Sequence, residues 1–285
     1  MDSRQQQMQL WLDQVLPQAA AALGWTDLPA GVLSAASADA SFRRYFRWQA
    51  GERSLIVMDA PPEHENTEPF VRITRLLQDA GVRVPRLFAE DLPQGFLLLE
   101  DMGAKTYLQT IEQGVAPAEL ERMFAAAITS LIRWQLASRP GVLPDYDEAV
   151  LRRELALFPD WYVGRERGRS LSAEEQSLWD QVQALLLDSN LGESRVYVHR
   201  DYMPRNLMTA EGEPGVLDFQ DALYGPVSYD ATSLFADAFF SWPAAERSQW
   251  LSRYWQQARA AGVPVPDELD TFLAQARLTG VQRHL

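Results

Sequence analysis

The chain has 285 residues, 47% of them apolar, with nine Trp, twelve Phe and nine Tyr, enough material for a sizeable core and too much for domain-scale disorder. There is no Cys, which excludes disulfides, thiolate metal sites and thiol catalysis, and the only histidines, His64, His199 and His284, are too scattered for a zinc site. A net charge of −13 argues against broad binding to nucleic acid or acidic membranes, and no apolar run approaches the roughly 18–20 residues of a membrane span.

The N-terminus, with Gln5, Gln6 and Gln7 close behind Arg4, lacks the apolar stretch of a secretory signal, so a cytoplasmic protein is expected. Leu12, Val15, Leu16, Ala19 and Leu23 recur at helical spacing and predict a first helix, with Pro17 as a candidate kink. Strand-like runs follow at 32–33, 42–48 and 55–58. Ala60, Pro61 and Pro62 break the chain, and 70–77 reads as a helix ending before Gly81. Two further strands, 86–90 and 96–99, flank a turn at 91–95. These elements describe a small α+β lobe.

After 100–103 the character changes. Residues 118–137 form a long amphipathic pattern, and 148–158 and 173–188 predict two more helices. Short strands are expected at 196–198, 207–208 and 215–217, and the chain from Tyr229 onward is largely helical. The expected division is an N-terminal lobe of residues 1–100 and a helix-rich lobe of 101–285, without internal repeats. The chain stops five residues after Gly280 with no closing element, so a fuller protein is expected to continue past Leu285.

The informative stretch runs from Val196 to Asp230. A strand leads into His199, Arg200, Asp201, Tyr202, Met203, Pro204, Arg205 and Asn206; a hairpin then returns the chain to Asp218, Phe219, Gln220 and Asp221. Phosphoryl transfer asks a protein mainly for positioning and charge neutralisation. One carboxylate must orient the acceptor hydroxyl and take its proton. A second carboxylate and an amide oxygen must hold magnesium, which chooses oxygen ligands. A loop between two strands can present Asp201 and Asn206 together, and the hairpin can bring Asp218 to face them.

His199-Arg200-Asp201, with Asn206 five positions after the Asp, resembles the kinase catalytic loop, and Asp218-Phe219-Gln220 resembles the metal-binding Asp-Phe-Gly element. Pro204 inside the loop and Gln220 in place of Gly resemble the aminoglycoside phosphotransferase superfamily more than protein kinases. The resemblance implies an α+β, bilobal protein-kinase-like fold: a small β-rich nucleotide-binding N-lobe and a helix-rich C-lobe for catalysis and substrate binding. ATP and Mg2+ are the implied cofactors. Asp201 is then the catalytic base, Asn206 and Asp218 are the metal ligands, and His199 and Asp230 support the loop.

The first lobe carries the resemblance more weakly. Residues 96–101 resemble a last strand and hinge where backbone groups meet adenine, with Glu100 and Met102 as the nucleotide contacts. Residues 37–41 sit where a Gly-rich phosphate loop belongs but contain no glycine; small residues still allow close backbone approach, and Ser37 or Ser41 could add a hydroxyl donor. A plain strand end and hairpin turn would read the same way. Kinases usually carry a Lys on the third strand. Here 55–58 has none, and Lys105, the one lysine of the chain, lies past the hinge. Arg43, Arg44 and Arg47 are the expected substitutes, although a guanidinium fork is not equivalent to an ammonium.

The runs at 37–46, 98–103 and 218–230 are more specific still. They resemble bacterial cell-wall-recycling kinases that phosphorylate N-acetylmuramate and N-acetylglucosamine at the anomeric hydroxyl, which implies a small-molecule amino sugar as the partner. On that resemblance Trp161, beside Tyr162, is expected to stack on the sugar. Glu154, Tyr202 and Asp221 are the candidate hydroxyl contacts, and Arg152 or Arg153 would meet the lactyl carboxylate of muramate. Each of these side chains is equally at home in a core or on a solvated face. Kinases of an aminoglycoside, choline or homoserine, and a non-catalytic pseudokinase, are the rival readings.

Overall fold

A computed structural model describes residues 3–38 and 42–285, without the side chains of Ser37 and Ala38. The backbone divides into two compact units, Met1–Gln78 with Val84–Ala104, and Asp79–Arg83 with Lys105–Leu285.

In the first unit five strands form one antiparallel sheet. They are β1 (Val32–Ala38), β2 (Arg44–Ala50), β3 (Arg53–Asp59), β4 (Leu87–Asp91) and β5 (Phe96–Glu100), in the order β1-β2-β3-β5-β4. Gly51 takes φ 63° in the two-residue connection from β2 to β3, the conformation a tight hairpin needs. Trp48, Leu55, Val57, Phe96 and Leu98 bury their side chains against Met8, Trp11, Leu12, Leu16 and Ala19 of α1 (Ser3–Ala22). The five helical positions share one face by their spacing. Helix α1 runs unbroken through Pro17, whose ring lies on the exposed side. Strand β2 starts two residues later than its apolar pattern predicts, because Phe42 stays exposed and stacks on His64 at 4.3 Å. Helix α2 (Glu68–Asp79) buries Phe70, Val71, Ile73 and Leu77.

The second unit is built of helices around two small hairpin-like pairs. The helices are α3 (Tyr107–Glu112), α4 (Pro117–Leu136), α5 (Glu148–Leu155), α6 (Ala173–Leu191), α7 (Tyr229–Phe235), α8 (Ala244–Ala261) and α9 (Leu269–His284). Strand β6 (Arg195–Val198) pairs with β9 (Leu223–Pro226), and β7 (Leu207–Met208) with β8 (Gly215–Val216), both antiparallel. Local chemistry starts the helices: capping boxes of Thr106 with Gln109 and Ser172 with Glu175, Pro117 in the first turn of α4, and Asp147 at the N-cap of α5. Helix α4 supplies the centre of the core. The Phe124 ring lies 5.2 to 5.9 Å from those of Phe235, Phe240, Trp242 and Trp250, and burying such a ring contributes about 1.5–3 kcal/mol.

Helix α5 ends earlier than its apolar pattern predicts, at Leu155, and the chain goes on as a nine-residue π-helix, Phe158–Glu166. The Arg167 N–H donates to the Tyr162 carbonyl at 3.0 Å, the i→i+5 bond of that helix type. Among the described residues, no helix is long and apolar enough to cross a membrane.

Candidate active site

Strand β6 delivers His199, Arg200 and Asp201 at its C-terminal end. The loop is held from three sides. The buried Asp230 carboxylate, in the first turn of α7, accepts the N–H of His199 at 2.6 Å and of Arg200 at 3.0 Å. Arg283 from the last turn of α9 donates to the Arg200 carbonyl at 2.6 Å. The Arg200 guanidinium donates to Glu154 of α5 at 2.5 Å. Arg200 itself takes φ 78°. A left-handed non-glycine residue persists where its surroundings over-determine it, as they do here.

The loop then closes on itself. Pro204 opens a short 3-10 turn, Pro204–Asn206, and the Asn206 N–H donates to the Met203 carbonyl at 2.9 Å. The pairing of β7 with β8 brings the chain back, and the Leu217 N–H donates to the Asn206 carbonyl at 2.9 Å. Asp218 follows at φ 65°, a left-handed conformation that Asp tolerates better than most residues. The Asn206 side-chain amide donates both to the Asp201 carbonyl at 2.9 Å and to Asp218 Oδ2 at 3.2 Å. Gln220 donates to the other Asp218 oxygen at 2.8 Å. Asp201, Asn206 and Asp218 thus form one hydrogen-bonded set.

Burial sets the electrostatics. It raises the Asp201 carboxyl above its ordinary value; Asp218 adds to the rise, while Arg283 and Arg200 oppose it. Burial pushes Asp230 up to about 7 against its two backbone N–H bonds and Arg283. His199 is pulled down to about 4 by burial, with Asp218 opposing, so its ring is neutral at pH 7 and Nδ1 accepts the Asp201 N–H at 3.2 Å.

A model of the phosphotransferase enzyme family, APH, matches residues 32–271 of this chain. The chain belongs to the phosphotransferase enzyme family. Within the relatives of this phosphotransferase, the N-acetylmuramate/N-acetylglucosamine kinase of Pseudomonas aeruginosa is 54% identical over 284 residues, covering 100% of this chain and 83% of that protein. The protein of the same name from Neisseria meningitidis is 45% identical over 254 residues, covering 89% and 75%. Among solved structures, an aminoglycoside phosphotransferase in a ternary complex with streptomycin and ATP gives a TM-score of 0.64 at 13% identity, covering 99% of this chain and 88% of that one. An ethanolamine kinase of Plasmodium vivax gives 0.62 at 12% identity, covering 96% and 77%. The α+β, protein-kinase-like fold expected from the motifs is therefore the fold of this phosphotransferase.

The structure places the remaining expected phosphotransferase contacts unevenly. The Tyr202 ring is buried and its hydroxyl donates to the Ala127 carbonyl of α4 at 2.8 Å, so the side chain packs in the core. Glu154 is also spent. Its two oxygens accept from Arg200, Gln282 and the Tyr146 hydroxyl, which makes it a brace behind the loop. Asp221 is exposed, 3.5 Å from the Gln220 amide. Trp161 is exposed on the π-helix with the Arg165 guanidinium 3.9 Å over its ring. Arg152 is engaged with Glu148 at 2.7 Å, while Arg153 is exposed.

In the first unit, Ser41 lies outside the described residues, as does the side chain of Ser37. Arg43 lies 4.0 Å from Glu65. Arg44 is paired with the buried Asp59 at 2.5 Å, and Arg4 of α1 reaches the same carboxylate at 2.7 Å. Arg47 pairs with Asp101 at 2.6 Å and donates to the Gly103 carbonyl at 3.0 Å. That pairing fixes the segment after β5. Burial raises the Asp101 carboxyl, but the hydrogen bonds from Arg47, Ser54 and Gly103 more than offset it and leave it below the ordinary range. The Glu100 side chain turns back to the Arg86 N–H at 3.2 Å, and Met102 is half-buried.

Arg283, Gln282 and Tyr146 are absent from the expectation, yet all three touch the loop or its brace. A signal for Arg283 exists. It continues the buried stripe of Phe272, Ala276 and Thr279 at helical spacing, and a charge on a core stripe asks for a partner. Tyr146 packs where Gly225 leaves room, since a Cβ there would fall 2.5 Å from the tyrosine Cβ.

Proposed function

We propose that this phosphotransferase is an ATP-dependent kinase that phosphorylates the anomeric hydroxyl of N-acetylmuramate, N-acetylglucosamine or both, giving the sugar 1-phosphate in cytoplasmic recycling of peptidoglycan. The observation that carries the chemistry is the hydrogen-bonded set of Asp201, Asn206 and Asp218 on a loop clamped by Asp230. The amino-sugar assignment rests on the 54% identity to a relative of that name across the whole chain.

In this reading Asp201 accepts a hydrogen bond from the C1 hydroxyl and takes its proton as the bond from that oxygen to the γ-phosphorus forms. The bond from the γ-phosphorus to the bridging oxygen breaks, and ADP leaves with its electron pair. Positioned proton transfer of this kind contributes about 10²–10⁴ in rate. Mg2+ fits the set: the Asp218 carboxylate and the Asn206 side-chain oxygen are hard donors, and Mg2+ is ordinarily held by one or two such groups plus substrate phosphates. When bound, the ion neutralises phosphate charge. Its protein ligands would be Asn206 and Asp218, kept in register by the amide that joins them. Residues 1–100 are assigned to the nucleotide, with Ser37, Ser41 and Arg43 toward phosphate and Glu100, with Met102 just past that segment, toward adenine. Arg44 reaches phosphate only by leaving Asp59. Trp161 and Asp221 remain the sugar contacts of 101–285.

The test is ADP release from MgATP with N-acetylmuramate, N-acetylglucosamine, kanamycin, choline and homoserine as acceptors. Turnover with the N-acetyl sugars is expected. Asp201→Asn should lower it about 10²–10⁴-fold while leaving ATP binding intact. Turnover with another acceptor alone overturns the substrate. Silence with all five while MgATP binds overturns the kinase.

A further inference from the structure

N-acetylmuramate differs from N-acetylglucosamine by a lactyl ether that ends in a carboxylate. A site that tells them apart needs a cation with unspent donors on the acceptor side. The candidate loop carries two arginines. Arg200 is committed to Glu154. Arg205, between Asp201 and Asn206, is exposed, and among the described residues it makes no ion pair and no side-chain hydrogen bond. What it does touch is one ring: its guanidinium lies 4.5 Å over Phe239.

Phe239 is itself unusual. Its ring is 57% exposed, while its backbone is pinned, because Asp237 Oδ1 accepts the N–H of Phe239 at 2.6 Å and of Phe240 at 3.1 Å. An exposed ring on a pinned backbone, under a guanidinium, restrains the charge without consuming its N–H donors. Pro204 and Asn206, on either side of Arg205, are both buried, so the short turn fixes the point from which the side chain leaves. The result is a planar fork of five donors, aimed from the loop that holds the candidate base, with an apolar face beneath it. That pairing suits a carboxylate next to a sugar ring.

The geometry points to Arg205, supported by Phe239, as the residue that recognises the lactyl carboxylate and so sets the preference for N-acetylmuramate over N-acetylglucosamine. The assignment rests on the proposed amino-sugar kinase reading. It places the recognition of that carboxylate on the loop itself in preference to α5, where Arg152 is held by Glu148 and Arg153 is exposed.

The experiment measures kcat/KM of the full chain and of Arg205→Gln, Arg205→Lys and Phe239→Leu with both sugars, and with N-acetylmuramate whose lactyl carboxylate is converted to the amide. Losing a charge-assisted hydrogen bond on an exposed side chain should lower the N-acetylmuramate to N-acetylglucosamine ratio about tenfold in Arg205→Gln. The change should appear chiefly in KM for the acid sugar. Arg205→Lys should restore part of the ratio, Phe239→Leu should shift it less in the same direction, and the amide should show no dependence on residue 205. An unchanged ratio overturns the inference. So does an equal fall for both sugars carried by kcat, which would put Arg205 on the transferring phosphoryl group. A wild-type chain that turns over neither sugar is a failure of the kinase reading and is distinguished by that control.

Discussion

The backbone of Arg200 sits at φ 78°, a conformation that costs a residue with a Cβ about 1–2 kcal/mol. Its N–H, its carbonyl and its guanidinium are each held by a different helix, α7, α9 and α5. Asp230 carries two of the bonds that fix this peptide, so Asp230→Ala leaves the N–H groups of His199 and Arg200 with no acceptor in a buried site. An orphaned buried group costs about 1–3 kcal/mol. The urea midpoint of Asp230→Ala should fall accordingly, and turnover should fall with it; Asp230→Asn, which keeps one acceptor oxygen, should lie between. A midpoint equal to that of the parent chain would show that the loop is held by other means. At this scale the sequence was most legible in the loop itself, where Asp201, Asn206 and Asp218 meet through one amide as their spacing predicts. It was least legible for Tyr202 and Glu154, because whether a tyrosine faces a ligand or a helix, and whether a glutamate is already satisfied, depends on neighbours distant along the chain.

Three elements meet at Glu193, just past the end of α6. Its carboxylate accepts the Ser228 N–H at 3.0 Å and the Ser228 hydroxyl at 2.9 Å where α7 begins, and the Thr279 hydroxyl of α9 at 3.2 Å. Burial pushes its pKa up to about 7, against those three hydrogen bonds. In the unfolded chain the same group titrates near 4.3. Between those values the folded form keeps a proton that the unfolded form has lost, so stability is highest below about pH 4.3 for this group and declines as pH rises to about 7. Asp230, also at about 7, acts in the same direction; His199, lowered to about 4, acts in the opposite one below its ordinary value of 6.5. Glu193 and Asp230 together outweigh His199 over this range, so the melting temperature should drop from pH 5.5 to pH 7.5. Glu193→Gln, which mimics the protonated acid, should flatten that slope, and an unaltered slope would remove Glu193 as its source. Among elements, α1, α2, α4 and α6 were readable from periodicity alone. Helix α3 was not found, although Thr106 and Gln109 carry a capping signal, because six residues hold too few apolar repeats. Strand β9 was not expected, because Gly225 and Pro226 are poor strand formers, and pairing with β6 decides otherwise. The π-helix after α5 has no period that an α-helical pattern would reveal.

At the scale of the molecule, the change in character near residue 100 was visible as strands giving way to long helices, and the family motifs supplied the rest. The small excursion of 79–83 into the second unit was not visible. It is fixed by contacts far along the chain, where the Val216 N–H donates to the Arg83 carbonyl at 2.8 Å and Arg133 donates to the Gly81 carbonyl at 3.2 Å. The composition adds one thing that no motif states. The single lysine, Lys105, is exposed and is the first residue of the long segment of the second unit. A lysine-specific endoprotease therefore has one place to cut. Limited digestion of the native chain should give two fragments, 1–105 and 106–285, and nothing smaller. The first would carry the whole sheet and the second the whole loop of Asp201, so mixing them and following ADP release would show whether phosphoryl transfer survives without the covalent tether.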